Sequence, residues 1–397
     1  MSSDRSVGPL EAPHAGLAHD LRVVVVSHKE CWTADGAVMS SGGFPAQMDA
    51  VADLAEIHLV VPVVPGSGRV GTAMRVSEIS PLTPLMGQGS RRRLRTVLWL
   101  CRVVPVIVRA VMSADVVYCL VPGDVGAVGM VLAALLRRPL VIRHCGTWNR
   151  RDTPAERLTM ILLERLSKRH VVLATGWAEV PPSIHAPSVA WIFSASLRRS
   201  DMERLGRERL APSPPRARLV TAGRQVSQKG TECVLRSLRM LVDEGRDISL
   251  DVIGDGPELG RFEQIAQTAG VAHRVQFHGR LPHAQAVRVM DAADLFVFPT
   301  TSNEGFPKVV AEAMACGLPI VSTPVSALAT IVPGAGMLIP APVPDALADA
   351  VGGLLDDAER YRLASGAARE RAAGFTIEGW QKLFASRILD RYPSLSE

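Results

Sequence analysis

Nothing constrains the fold of this chain more than a repeated rhythm of short apolar segments separated by longer helical stretches. In the first half the apolar runs fall at 23–26, 57–61, 116–120, 140–142 and 171–173; in the second they fall at 218–222, 249–253, 274–277, 295–298 and 319–321. Most are continuous rather than alternating, and rich in valine, isoleucine and leucine. A strand with one wet face alternates apolar and polar residues, so a continuous run implies a strand covered on both faces. Strands of that kind belong to parallel sheets with helices above and below, which is the α/β class. Two successive sets of runs predict two doubly wound, Rossmann-like domains.

Length agrees, since 397 residues at roughly 100 to 200 per domain make two. Between the two sets, Ala211-Pro212-Ser213-Pro214-Pro215 is too proline-rich for the interior of a helix or a sheet and reads as a linker. The expected organisation is a disordered tail over 1–20, an N-terminal domain over 21–204, a second domain over 205–375 and a helical end over 376–397. Doubly wound sheets bind ligands outside the carboxyl ends of their strands. Function is therefore sought in the loops that lead from strand to helix.

Composition sets the outer limits. Hydrophobic residues at 47% and charged residues at 21% describe a globular chain. Six cysteines, at 31, 101, 119, 145, 233 and 316, lie far apart without a C-x-x-C pair, which suits a reducing, cytoplasmic setting. Residues 1–20 lack the apolar centre of a secretory signal. The most apolar stretch, 97–121, is interrupted by Arg102, Arg109 and Asp115 and does not read as a membrane span. Charge is uneven, with 22 basic and 15 acidic residues up to position 200 against 22 and 24 beyond it. Arg91-Arg92-Arg93-Leu94-Arg95, followed by apolar 97–111, reads either as an element docking on anionic lipid or as a core helix with a solvated charge run. Basic residues near such a surface gain about 1 kcal/mol each. A peripheral contact at the inner membrane face is one expectation; a nucleic-acid partner is not.

The most informative loop follows the run 295–298. Asn303-Glu304-Gly305-Phe306-Pro307-Lys308-Val309 leads into a helix that carries Glu312 and ends at Gly317-Leu318-Pro319, with Pro307 suited to its first position. A carboxylate just ahead of a helix can accept hydrogen bonds from sugar hydroxyls, while the free N–H groups of the first turn receive a phosphate. Taken singly, Glu304 could equally cap the helix and Glu312 face solvent. Upstream, Gly223-Arg224 closes a strand and Gln228-Lys229-Gly230 opens the next helix. Two cations at a strand end can flank a diphosphate, the guanidinium as a bidentate fork and the ammonium as a point charge. A departing nucleoside diphosphate gains negative charge, so fixed cations stabilise the transition state more than the bound substrate.

The glutamates eight positions apart around a Gly-Phe turn, with Gly-Arg-x-x-x-x-Lys-Gly before them, resemble the signature of glycosyltransferase family 4. That resemblance implies a GT-B fold, two Rossmann-like domains facing across a cleft, and retaining transfer of a sugar from a nucleotide-diphospho sugar to a hydroxyl acceptor. It implies that Glu304 meets the donor sugar and Glu312 the ribose, with Gly223, Gly305, Phe306, Lys308 and Val309 around them and Arg224 and Lys229 on the diphosphate. His278-Gly279-Arg280-Leu281 is similar to the family's base-reading turn, which makes Arg280 and Leu281 base contacts. Gly42 and Gly43, in Met39-Ser40-Ser41-Gly42-Gly43-Phe44, match the family's glycine pair. His144, in Arg143-His144-Cys145-Gly146, resembles its histidine-glycine turn against the donor sugar. No D-x-D motif occurs, so no metal and no other cofactor is expected. By the same likeness the last helix crosses back to the first domain, with a hinge near residue 375.

Other readings are weaker or stay open. Gly254, Gly256 and Gly260 superficially suggest a dinucleotide site, yet the next strand runs into His278-Gly279 instead of the required acid. A phosphorylase, an epimerase or a pseudo-glycosyltransferase of the same fold, or a non-catalytic nucleotide-sugar module, would share the motifs. The likeness covers most of 218–372, but the first domain only by rhythm, the glycine pair and His144. Where the family often has an Asn-Gly turn, this chain has Phe193-Ser194-Ala195-Ser196.

Overall fold

Each of the ten apolar runs overlaps a strand of a computed structural model that describes residues 17–18, 20–66, 71–85, 92–146, 148, 153–205, 216–303 and 305–396, without the side chains of 92–95 and 154–155. The first ten strands are β1 (Arg22–Val26), β2 (Cys31–Ala34), β3 (Ala37–Ser40), β4 (Glu56–Pro62), β5 (Thr72–Met74), β6 (Glu78–Leu82), β7 (Val116–Val121), β8 (Leu140–His144), β9 (Val171–Thr175) and β10 (Ala190–Ile192). The remaining six are β11 (Arg216–Ala222), β12 (Asp247–Ile253), β13 (Val275–Gly279), β14 (Leu295–Phe298), β15 (Ile320–Ser322) and β16 (Gly336–Leu338). Early helices are α1 (Phe44–Ala52), α2 (Arg92–Met112), α3 (Asp124–Leu135), α4 (Pro154–Leu166) and α5 (Arg199–Leu205). They are followed by α6 (Thr231–Asp243), α7 (Leu259–Thr268), α8 (His283–Asp291), α9 (Lys308–Ala315), α10 (Leu328–Ile331), α11 (Pro344–Leu355), α12 (Ala358–Ala373) and α13 (Ile377–Arg391).

The chain forms two compact units. One comprises Met1–Thr175, Val180–Ile192 and Glu378–Glu397; the other comprises Gly176–Glu179 and Phe193–Ile377. The change of unit falls at Phe193, and the proline-rich 211–215 lies outside the described residues. In the first unit a seven-stranded sheet runs β10-β9-β8-β7-β1-β4-β6, all pairs parallel. Every residue of β7, β8 and β9 is buried, as continuous apolar runs require. Val24, Val117 and Ile142 pack there with Ile107 of α2 and Leu163 of α4. In the second unit the parallel order is β13-β12-β11-β14-β15-β16. Its core joins Leu219, Leu250 and Val252 to Leu235 and Leu238 of α6 and Leu347 and Val351 of α11. The expected pair of doubly wound α/β folds is present.

Three features were not foreseen. Between β1 and α1 the chain makes an antiparallel hairpin, β2 with β3, which β5 extends into a three-stranded sheet. Its turn residues Asp35 and Gly36 have φ of 49° and 76°, the left-handed pair that a two-residue hairpin loop needs. Met39 and Ser40 therefore finish a strand, and the loop ahead of α1 shrinks to Ser41–Gly43. Short edge strands β6, β10 and β16 also escaped notice. Finally, Leu17 and Ala18, expected within a disordered tail, are tied down: Leu17 is buried and bridges Ser396, and the Ala18 N–H donates to the Leu395 carbonyl at 3.2 Å.

From Glu378 onward α13 belongs to the first unit. Gln381 donates to the Ala50 carbonyl at 2.9 Å, and the Tyr392 hydroxyl accepts the Leu140 N–H at 3.0 Å. Among the described residues no helix is long and apolar enough to cross a membrane.

Candidate functional site

Strand order decides where a ligand can enter the second unit. β11 and β14 are neighbours, in register at Leu219 with Leu295 and Val220 with Phe296. From β11 the sheet runs on to β12 and β13, and from β14 to β15 and β16. At such a reversal the loops leaving the two central strands diverge and open a crevice. The loop after β11 carries Arg224 and Lys229, and the loop after β14 leads into α9. The two are laced together: the Gln228 carbonyl accepts the Thr301 N–H at 2.8 Å and the Thr300 hydroxyl at 2.9 Å. Gly230, the residue before α6, has φ +80°, and a Cβ there would stand 2.2 Å from the Pro299 carbonyl oxygen. Only glycine lets the loops meet this closely.

Gln225, which the sequence did not single out, holds the loop after β11. It is buried; its side-chain amide donates to the carbonyls of Gly223 at 2.9 Å and Ile253 at 3.2 Å, and its oxygen accepts the Thr231 hydroxyl at 2.8 Å. Next to it Gly254 has φ +116°, and a Cβ would lie 1.9 Å from the Gly223 carbonyl oxygen. The Gly254-Asp255-Gly256 turn is thus shaped to pack against its neighbour loop. The Gly254 N–H donates to the Gly279 carbonyl at 2.7 Å, which ties in the turn after β13.

This frame presents the two cations differently. Arg224 is exposed and, among the described residues, makes no ion pair. Lys229 is partly buried, with its ammonium 5.5 Å from the centre of the Phe298 ring. Burial pushes its pKa down to about 8.

On the other side of the crevice α9 begins at Lys308, with Pro307 as its cap, one residue later than the sequence suggested. Glu304 lies outside the described residues. Gly305, Lys308 and Val309 are partly buried, and Phe306 is buried in a cluster of rings, its centroid 4.9 Å from Phe375 and 5.9 Å from Phe193. Trp177 completes that cluster, 5.5 Å from Phe375 and 5.8 Å from Phe193.

Among the described site residues that carry charge, Glu312 is the least exposed. It is 5% exposed, and its Oε1 accepts the Ser196 hydroxyl and the His283 Nε2–H, the latter at 3.0 Å. Burial raises its pKa, but the hydrogen bond and charge of His283, with Ser196 and the Lys308 ammonium, outweigh this and hold the carboxyl below its ordinary value. The same hydrogen bond raises the pKa of His283 against the opposing effect of burial. The sequence points to Ser196 only as part of a departure from the family's pattern, and to His283 not at all. Arg280 is exposed and Leu281 partly buried in the turn that runs from β13 to His283.

The remaining expected residues lie in the first unit. Gly42 (φ +72°) and Gly43 stand exposed immediately before α1, with Gly43 as its cap. His144 ends β8, buried, with its Nδ1 3.1 Å from the Gly146 carbonyl and its ring edge-on to Trp148 at 5.5 Å. Burial lowers its pKa, with Gly146 and Glu156 opposing, so the ring is neutral near pH 7. A carbonyl can only accept, so Nδ1 holds the proton and Nε2 is an acceptor, able to receive a bond from a hydroxyl.

Residues 216–357 match the family model described as glycosyl transferases group 1. The chain is 36% identical over 190 residues to the D-inositol 3-phosphate glycosyltransferase of Xylanimonas cellulosilytica, covering 47% of this chain and 44% of that protein. It is 31% identical over 195 residues to a GDP-mannose-dependent alpha-(1-6)-phosphatidylinositol monomannoside mannosyltransferase of Mycolicibacterium smegmatis, covering 44% and 50%. Thus it spans about half the length of these curated relatives or less. Among solved structures, Anabaena HepE in complex with UDP and glucose superposes with a TM-score of 0.64 at 18% identity, covering 92% of this chain and 98% of that one. At that identity the shared property is the fold, two Rossmann-like units of the GT-B type. The matched stretch, 216–357, holds β11 to β16, both motif loops and Glu312, and is the part of the chain that is similar to the group 1 glycosyl transferases.

Proposed function

We propose that the chain is a metal-independent, retaining glycosyltransferase that moves a sugar from a nucleotide-diphospho sugar to a hydroxyl acceptor. The observation that carries this reading is the strand reversal at β11 and β14, with Arg224 and Lys229 on one loop and α9 with Glu312 on the other. Arg224 and Lys229 hold the diphosphate and discharge it as negative charge builds on the departing oxygen. The free N–H groups at the start of α9 supplement them, since α9 has no side-chain cap. Glu312 receives the ribose hydroxyls, Glu304 the donor sugar, and the turn at Arg280 and Leu281 reads the base. His144 accepts a sugar hydroxyl through Nε2. With the leaving oxygen able to take the acceptor's proton on the same face, no protein nucleophile is required. A cytoplasmic location fits a soluble nucleotide-sugar donor.

Nucleotide binding tests the reading. The relatives name both UDP and GDP-mannose, so UDP, GDP and ADP belong in one thermal-shift series. A ligand at 100 times its Kd stabilises the fold by about 2.7 kcal/mol. One of the three is expected to raise Tm, with the same shift after a chelator. No shift with any of them removes the proposal, and a shift abolished by chelator removes its metal independence. A phosphorylase, an epimerase or a pseudo-glycosyltransferase would bind the same nucleotide without moving sugar to a hydroxyl acceptor. A pure binding module would not hydrolyse the donor even slowly.

The first unit supports docking on an anionic membrane as part of the same reading. Val97, Leu98, Cys101, Arg102, Pro105, Arg109 and Met112 are the exposed positions among the described side chains of α2, and at 100° per residue they fill an arc of about 140°. Leu135 of α3, a helix that packs against α2, is 73% exposed. Residues 91–138 contain eight arginines and two aspartates. Co-sedimentation with vesicles is expected only when they contain anionic lipid, to weaken with salt, and to fall in Leu98→Glu. Equal recovery with neutral vesicles counts against it.

A further inference from the structure

Glu312 offers its two oxygens unequally. Ser196 and His283 both donate to Oε1, and no described residue bonds Oε2. The two donors come from different parts of the unit: Ser196 from the segment after Phe193, and His283 from the first position of α8. Two donors converging on one oxygen fix the plane of a carboxylate and leave its other oxygen to accept from a ligand. His283 is also joined through Pro282 to Arg280 and Leu281, where the base is read.

We propose that His283, assisted by Ser196, is a positioning residue that clamps Oε1 of Glu312 and aims Oε2 at the ribose diol of the donor. This deepens the transferase reading and rests on it. The clamp orients without touching the reacting centre, so its loss weakens donor binding and leaves kcat near its original value. His283 is itself surrounded by charge that favours the arrangement: Glu312 and Asp201 support its protonated form, and Lys308 opposes it. The side chain is half-exposed, so the imidazole can be replaced without opening the core.

The test compares the nucleoside diphosphate that stabilises the wild type with its 2′-deoxy analogue, by titration calorimetry. A hydrogen bond to a carboxylate is worth about a tenfold preference or more for the ribose form. In His283→Ala the ribose form is expected to bind about tenfold more weakly and the deoxy form almost unchanged, so the preference collapses. His283→Gln, which keeps an N–H donor, should restore most of it, and Ser196→Ala should fall between. A merely structural role would shift both ligands equally. His283→Ala with the wild-type ratio overturns the clamp and leaves the transferase reading standing; a wild type that binds no nucleoside diphosphate overturns both. If His283→Ala does not fold, the decision passes to Ser196→Ala, where an unchanged ratio has the same meaning.

Discussion

Arg224→Ala is expected to slow sugar transfer by about 10²- to 10³-fold, the loss seen when one preorganised donor to a developing oxyanion is removed. The residue is exposed and, among the described residues, makes no ion pair. Stability should therefore stay within about 0.5 kcal/mol of the wild type. Its loop is held by Gln225 and by the backbone of β12, neither of which the substitution touches. Arg224→Lys should recover only part of the rate, because a point charge replaces a planar fork. Steady-state rates beside a thermal melt decide the matter. Wild-type turnover in Arg224→Ala would remove the leaving-group role.

Lys229 should give the second large effect, through pH. Its ammonium ordinarily titrates at 10.5 and is pushed down to about 8 by burial beside Phe298. A diphosphate favours the charged form, so nucleoside diphosphate affinity is expected to fall as pH rises from about 7 to 9, with proton uptake on binding near and above pH 8. Lys229→Met keeps the apolar stem and removes the charge. It should bind the ligand about 10- to 100-fold more weakly at pH 7, and without the pH slope. Stability of the free protein moves the other way. With the folded pKa below the unfolded one, the unfolded chain binds more protons between about 8 and 10.5, so folding gains with pH across that window. Calorimetry in buffers of different ionisation enthalpy measures the uptake, and a pH-independent affinity in the wild type would refute the assignment.

The sheets were legible because parallel strands buried on both faces leave continuous apolar runs that survive without tertiary knowledge. The β2–β3 hairpin was not, although its Asp35-Gly36 turn is a local signal; its strands are short and mixed in polarity. The edge strands β6 and β16 have no fully buried run to announce them. Glu312 is instructive. Residues 310 to 316 are all buried, and this one acid sits in an otherwise apolar run, Val310-Ala311-Glu312-Ala313-Met314. A helix apolar all round is a buried helix, and a buried acid must be hydrogen-bonded, so its burial could have been read in advance. Its partners could not, because Ser196 and His283 are 116 and 29 positions away. Gln225 was silent for a related reason: it binds backbone carbonyls, whose positions depend on the strands being assembled.

The ring cluster around Phe306 bears on how the second unit can be produced alone. Trp177 sits in Gly176–Glu179, a short stretch bounded on both sides by first-unit sequence, while Phe193 and Phe375 lie at the two ends of the long segment Phe193–Ile377. A fragment cut at 193 and 377 would leave the indole behind and turn two of the three remaining rings into near-terminal residues, where fraying concentrates. It would bare apolar faces beside the signature loop and tend to self-associate. A soluble fragment of the second unit needs a polar replacement at Phe193 and Phe375, or a redesigned linker that brings residues 176–179 back.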